Sequence, residues 1–425
     1  MEMSLAFHMV FAALGIGMPL LMVLAEWRYL RTGERHYRSL ATKWAKATAL
    51  LFVVGAVSGT ALSFELGLLW PRFMAFAGPV MGPAFALEGY AFLLEAIFLG
   101  LYLYGWDKLS PRRHFLSGLP VAISGAMSGI LVVGANAWMQ SPRGYVADGF
   151  RLVDVDPLAV FANPSWAPLA LHSTLACYVS VGFAVAGIYA LGMLRGKRDA
   201  YHRSAIALAM GMAVVSSVLQ PISGDLLAKL LHRTQPEKLA AMEALMETRS
   251  GAPLLVGGIP DAETGEVRFG VHVPKLLSFL ATGDADGTVR GLSEFPVDER
   301  PNVLLCHLSF QLMVGAGFLL AVLGLVWTFL ALRRSRRLES DFVLRALVLA
   351  SPLGFLALEA GWFVTEAGRQ PWVVYRVMRT AEAVTPRTDV HLSLLGFTAL
   401  YLFLGFSLVR LLRRLARKPH EEAHA

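Results

Sequence analysis

Nine runs of about 20 predominantly apolar residues divide this chain, and at 1.5 Å rise per residue each can cross a bilayer core as a helix. They begin near Ser4, Ala47, Pro83, Ser117, Ala167, Ser204, Asn302, Phe342 and His391. Hydrocarbon offers backbone N–H and C=O groups no partner, so a segment inside it must close its own hydrogen bonds, as a helix does. Of 425 residues, 56% are hydrophobic and only 16% charged, too few charges for a soluble protein of this length. The expected fold is an all-α integral membrane protein with about nine transmembrane helices and one long external loop. Helices one to six are expected over residues 1–222, the loop over 223–301, helices seven to nine over 302–412, and a basic cytoplasmic tail over 413–425.

Lys and Arg in the connections set the orientation. The first carries Arg28, Arg31, Arg35, Arg38, Lys43 and Lys46; the third Lys108, Arg112 and Arg113; the fifth Arg195, Lys197, Arg198 and Arg203. The seventh carries Arg333, Arg334, Arg336 and Arg337, and the tail Arg413, Arg414, Arg417 and Lys418. Even-numbered connections lack this excess: the second has Arg72 alone, and the fourth balances Arg143 and Arg151 with Asp148, Asp154 and Asp156. The amino terminus is therefore expected outside and the carboxyl terminus in the cytoplasm. The net charge of +7 follows largely from this asymmetry and does not point to nucleic acid.

The first span lacks the basic n-region and small-residue cleavage site of a signal peptide. Cys177 and Cys306 both fall in apolar runs, which leaves no disulfide framework and no CxxCH haem attachment. Within the long loop, Glu237–Ala244 reads as a short helix. Gly283-Asp284-Ala285-Asp286-Gly287 lacks the full ligand spacing of a calcium loop and reads as a turn.

Ionisable and sulfur side chains interrupt the apolar runs at His8, Glu88, Glu95, His172, Met313 and Glu366. Such groups are costly in lipid and normally face a pathway or a cofactor. Counted along each helix, His8, Glu88 and His172 lie about a turn and a half from the outer end, Met313 about three turns in, and Glu366 at the outer end of span eight. Five groups from five helices thus share the outer half of the membrane. Glu95, seven residues beyond Glu88, shares its face about 10 Å nearer the cytoplasm. Glu359, Trp362 and Glu366 share a face of span eight. These spacings suit a cofactor at the outer level reached by a carboxylate relay from inside.

Taken singly, most of these residues have ordinary explanations. Met313 is one of 16 methionines and would pass as core packing. Glu366 alone would pass as an interfacial residue, and His307 or His391 as a hydrogen-bonded group at a helix end. Two carboxylates on one apolar face are harder to explain that way. A His/Met pair suits a low-spin haem iron, and a single His or carboxylate leaves iron open to a gas such as O2. The paired histidines of a dihaem cytochrome b and the six or so of a haem–copper oxidase are missing.

At this point the residues resemble subunit I of cytochrome bd-type quinol oxidases. The most specific match is Gly361-Trp362-Phe363-Val364-Thr365-Glu366-Ala367-Gly368-Arg369-Gln370-Pro371-Trp372, with the GRQPW signature and its preceding glutamate. Others are Phe85-Ala86-Leu87-Glu88-Gly89 with Glu95, Ala135-Asn136-Ala137-Trp138-Met139-Gln140, His172-Ser173-Thr174, Met313-Val314-Gly315, and the loop motif Lys238-Leu239-Ala240-Ala241-Met242-Glu243.

The resemblance implies that His172 and Met313 are axial ligands of a low-spin haem b. It places His8, Glu88 and Glu366 at a high-spin pair, a second haem b and a haem d or a further haem b in its place. Which group ligates which haem stays open. Glu95, with Lys46 near the inner face, would carry protons from the cytoplasm. Trp362 would lie between haems, and Arg369 belongs to the same catalytic signature. Lys238 and Glu243 would contact the quinol head group or take its protons, releasing them outside. Charge would then be separated without pumping. The implied partners are a second membrane subunit (subunit II), a small single-helix subunit in some members, quinol, O2 and the bilayer of a prokaryotic cytoplasmic (inner) membrane.

Two departures stand out. Relatives often carry a basic residue where this chain has Gln311, and loss of that cation is expected to lower the low-spin haem potential. The shorter loop resembles that of the cyanide-insensitive branch, and relatives usually have several more residues before the first histidine. Competing readings are a haem-free proton-coupled transporter using Glu88, Glu95, Glu359 and Glu366, and a haem b quinol dehydrogenase that never meets O2. The first leaves His172 and Met313 idle and lacks repeat symmetry; the second leaves His8, Glu88 and Glu366 idle.

Overall fold

The helices outrun the apolar segments that predict them. The computed structural model describes residues 1–261 and 266–417. Nine helical segments among these are long and apolar enough to cross a membrane. In chain order come α1 (Glu2–Thr32), α2 (Arg35–Leu69), α3 (Pro71–Tyr104) and α4 (Pro111–Gln140). The hairpin β1 (Val146–Asp148) and β2 (Arg151–Val153), and α5 (Pro157–Phe161), lead into α6 (Trp166–Leu194) and α7 (Ala200–Thr234). The long loop holds α8 (Pro236–Met242), β3 (Arg249–Ser250), β4 (Leu254–Pro260), β5 (Val267–Val273), α9 (Leu276–Thr282) and β6 (Thr288–Val289). Next are α10 (Val303–Leu332), α11 (Asp341–Ala350), α12 (Leu353–Ala367), β7 (Trp372–Val374), β8 (Met378–Arg379), α13 (Thr380–Ala383) and α14 (Val390–Arg417).

The element boundaries differ from the expected ones at five places. The segments α2 and α3 start about one bilayer-leaflet length before their apolar runs, at Arg35 and Pro71. Beyond hydrocarbon, long basic side chains reach water while the backbone stays helical. The loop does not begin at 223, because α7 continues to Thr234. Gly224 and Asp225 read as loop residues in sequence, but Lys229 donates to Asp225 at 2.6 Å across one helical turn. Span eight is two helices, broken at Ser351-Pro352, where proline brings no N–H to the ladder. Arg413, Arg414 and Arg417 belong to the last turns of α14, and Lys418 with the rest of the expected tail lies outside the described residues.

The main core joins α1, α2, α6, α7 and α11 through residues such as Leu21, Leu40, Phe183, Met210 and Leu347. Without a hydrophobic drive between helices in lipid, small residues set the closest approaches. A Cβ on Gly182 of α6 would stand 2.7 Å from the Cβ of Ala213 on α7, and one on Gly354 of α12 would stand 2.5 Å from the Cα of Ser180. The long loop folds back over one end of the bundle, with α9 against α7, and β4 and α8 against α10. That loop-bearing end is where the site assembles.

Candidate functional site

A serine fixes each of two intramembrane histidines. His8 of α1 places Nδ1 2.9 Å from the Ser58 hydroxyl, which donates its own proton to the Gly55 carbonyl at 3.1 Å. His172 of α6 places Nδ1 2.8 Å from the Ser223 hydroxyl, which donates to the Gln220 carbonyl at 2.8 Å. A hydroxyl has one proton, and with that proton on the backbone carbonyl Nδ1–H donates to the serine in both cases. Nε2 then keeps its lone pair. For His172 a second contact agrees, because the Gln220 amide, a donor, approaches Nε2 at 3.1 Å. Holding one imidazole nitrogen so that the other can ligate a metal is the usual outer-sphere arrangement.

Two other buried histidines have no such lone pair to offer. His114 sets Nδ1 2.6 Å from the Glu26 carboxylate and Nε2 2.9 Å from the Tyr102 carbonyl. His307 sets Nδ1 2.8 Å from the Met242 carbonyl and Nε2 3.1 Å from that of Gly257. His307 was expected as a hydrogen-bonded group at a helix end, and it is hydrogen-bonded, though fully buried beneath the loop.

Met313 of α10 faces α12 where Gly361 clears space for it: a Cβ there would lie 2.8 Å from the methionine sulfur. A Cβ on Gly59 would likewise press to 3.1 Å from His8 Cε1. On α12, Glu359 has both carboxylate oxygens buried without a hydrogen-bond partner. Trp362, one turn on, is half-buried beside Phe363.

Glu366 is the centre of a polar network. Asn136 of α4 donates to its Oε1 at 2.6 Å, and Arg369 pairs with its Oε2. Gln140 lies 3.4 Å from Asn136 and from the Thr365 carbonyl. Lys238 of α8 reaches into the same place, donating to that carbonyl at 2.9 Å and facing Gln140 Oε1 at 3.4 Å. Glu2 of α1 lies within electrostatic reach of Glu366 and Arg369. The network therefore sets Lys238 and Arg369 beside Glu366, with Glu2 near by, and Arg369 Nη1 is buried with no partner. Burial, then Arg369, pulls the Lys238 ammonium down to about 7, with Glu366 opposing. A buried guanidinium nitrogen without a partner calls for an acceptor.

Glu88 and Glu95 lie on one face of α3. Glu88 is half-buried, whereas Glu95 is buried with Oε1 unpartnered and packs on Gly125 of α4. Lys46 is exposed on α2. Sequence reading passed over Glu26, His114 and Glu65, the last accepting from Ser4 at 2.6 Å. All three flank polar connections, where they look like ordinary helix-end residues. Asn136 and Gln140 stand in a matched motif, but their link to Glu366 needed the fold.

The two loop residues face different ways. Glu243, at the end of α8, lines a cavity of about 370 Å³ with Glu247, Arg249, Leu255 and His272. Its carboxylate faces the Leu255 N–H, and Oε2 has no partner. Burial pushes this carboxyl up to about 8. Lys238 does not line that cavity; it points to the Glu366 network.

Among the described residues, no three His, Cys, Asp or Glu side chains gather about one point. An iron held here would need its remaining ligands from a macrocycle such as haem, which asks one or two of the protein. The Nε2 lone pairs, that of His172 now met by the Gln220 amide, the glycine clearances and the unpartnered Arg369 Nη1 beside Lys238 fit a haem with its carboxylates.

Comparison with known proteins agrees with this architecture. The family model described as cytochrome bd terminal oxidase subunit I matches residues 1–420. The solved structure of bd oxidase from Geobacillus thermodenitrificans superposes with a TM-score of 0.94 at 37% identity, covering 98% of this chain and 97% of that one. A Bacillus subtilis protein assigned as a cytochrome bd menaquinol oxidase subunit I is 37% identical over 422 residues, 98% of this chain and 94% of its own. The cytochrome bd ubiquinol oxidase subunit 1 of Bacillus subtilis is 33% identical, over 98% of this chain and 92% of its own.

Proposed function

Because this chain belongs to the cytochrome bd terminal oxidase subunit I family, we propose that it is the haem-bearing subunit of a quinol:O2 oxidoreductase in a bacterial cytoplasmic membrane. The observation that carries the reading is the shared serine device, which leaves Nε2 of His8 and His172 with a lone pair in two different spans. Haem iron, when bound, supplies the electron relay from quinol and the centre at which O2 becomes water.

His172 and Met313 would hold the low-spin haem b. His8, Glu88 and Glu366 would serve the high-spin pair, a second haem b with haem d or a further haem b. Asn136 and Arg369 fix the Glu366 carboxylate, while Arg369 and Lys238 offer charge to haem carboxylates. Trp362 provides an aromatic surface between sites. Glu95 would hand protons from the cytoplasmic side toward Glu88. Glu243, with one carboxylate oxygen free at the loop cavity, would take a proton from quinol and release it outside. With the amino terminus outside, opposite faces supply and release protons, so charge is separated without a pump. Exposed apolar side chains on α3 and α14, such as Leu94, Ile97, Leu402 and Phe406, suit lipid and a second membrane subunit; a small single-helix subunit is a further partner.

The test is a dithionite-reduced minus air-oxidised spectrum of the protein purified with its second subunit, with pyridine-haemochrome analysis and quinol-driven O2 uptake. Haem b bands with O2 uptake are expected, and a far-red chlorin band distinguishes haem d from haem b at the O2 centre. Intact protein without haem would overturn the reading.

A further inference from the structure

The strand β4 is paired with β5 on one side only, and an unpaired strand edge exposes donors and acceptors that need partners. Here side chains from α10 and the end of α8 supply them. Gln311 Nε2 donates to the Leu255 carbonyl at 2.9 Å, and Gln311 Oε1 accepts from the Gly257 N–H at 2.9 Å. His307 faces the Gly257 carbonyl at 3.1 Å, and the Leu255 N–H lies toward the Glu243 carboxylate, with which it lines the loop cavity. Leu255 and Gly257 are two residues apart, so all four groups lie along the same edge. Gly257 carries a φ of 70°, a left-handed conformation that glycine accepts readily, and its edge turns onto the helix.

Glutamine suits this position because a carboxamide offers one donor face and one acceptor, like a peptide group. Arginine could donate to Leu255 but has no acceptor for the Gly257 N–H. We propose that Gln311 is a positioning residue for quinol oxidation: standing in for a third strand, it fixes Leu255 and through it the Glu243 carboxylate at the loop cavity. Met313 lies two residues further along α10, about 200° round the helix and facing α12, so the loop is registered on the same helix that presents the methionine sulfur. This inference rests on the quinol-oxidase reading of the loop.

The test compares Gln311→Leu and Gln311→Asn with the unaltered oxidase, complete with its second subunit. Losing two hydrogen bonds should raise KM for quinol about tenfold, with kcat little changed. Amide exchange of β4 should accelerate at Leu255–Gly257, while O2 uptake from a small one-electron donor that does not use the loop stays as before. Unchanged quinol KM with unchanged exchange would overturn the proposal, as would a parallel fall in artificial-donor activity. An unaltered protein that fails to oxidise quinol would instead overturn the oxidase reading, and β4 exchange would still show whether Gln311 holds the strand.

Discussion

At His8 and His172, one hydroxyl decides which ring nitrogen carries the proton. Ser223→Ala removes that control from His172 while the backbone of α7 stays helical. Loss of such an outer-sphere partner typically weakens metal binding by about 10–100-fold. Low-spin haem b should therefore be lost on dilution or detergent exchange, read by the pyridine haemochrome. Full retention would show that the serine does not orient the ligand. Glu243 invites a pH test. With its carboxyl pushed up to about 8, it is mostly protonated at neutral pH and cannot accept a proton. Quinol oxidation should rise as pH climbs from 7 through 8, and Glu243→Gln should flatten that limb. Stability has the opposite sign: the folded state binds more protons than the unfolded between about 4.5 and about 8, so this group's contribution is lost as pH rises through that window. The Glu26–His114 pair makes a third case, since both side chains are about 1% exposed and 2.6 Å apart. His114→Leu should lower stability by about 3–5 kcal/mol by leaving the carboxylate unmatched. Glu26→Leu combined with His114→Leu should recover much of that loss, read as the midpoint of thermal unfolding in detergent.

At the level of elements, the apolar runs gave away where helices cross but not where they end. Hydrophobicity reports only the length inside hydrocarbon, whereas helix ends depend on side-chain pairs such as Asp225–Lys229 and on proline at 352. The ionisable residues of the spans were legible because each breaks an apolar run. Glu26 and His114 were not, because each adjoins a charged connection that hides it. Nor could any sequence pattern show that Gln311, read as a lost cation, is occupied on both faces of its amide by β4. Restoring the cation with Gln311→Arg therefore changes two things at once: it adds charge near Met313 and removes the acceptor for Gly257. A potential measured in that variant has to be read against β4 exchange before the charge is credited.

For the whole molecule, the features that matter converge on one end of the bundle: Asn136 from α4, Glu366 and Arg369 from α12, and Lys238 from α8 meet there. One consequence lies in α7. From Ser223, which holds the His172 ring, the helix runs unbroken to Thr234, about 16 Å, and passes through a single residue into α8. It is a torsion shaft with the histidine clamp at one station and the loop motif at its tip. Inserting one residue between Ala228 and Lys229 turns the last turns of α7, and with them the start of α8, by about 100° while α10 stays packed in the bundle. Insertions of one and two residues should therefore abolish quinol oxidation, whereas three or four, nearly a whole revolution, should restore part of it. Low-spin haem content should stay constant throughout, because the clamp lies upstream of the twist. Activity that declines evenly with insert length would mean that the loop finds its seat without being steered.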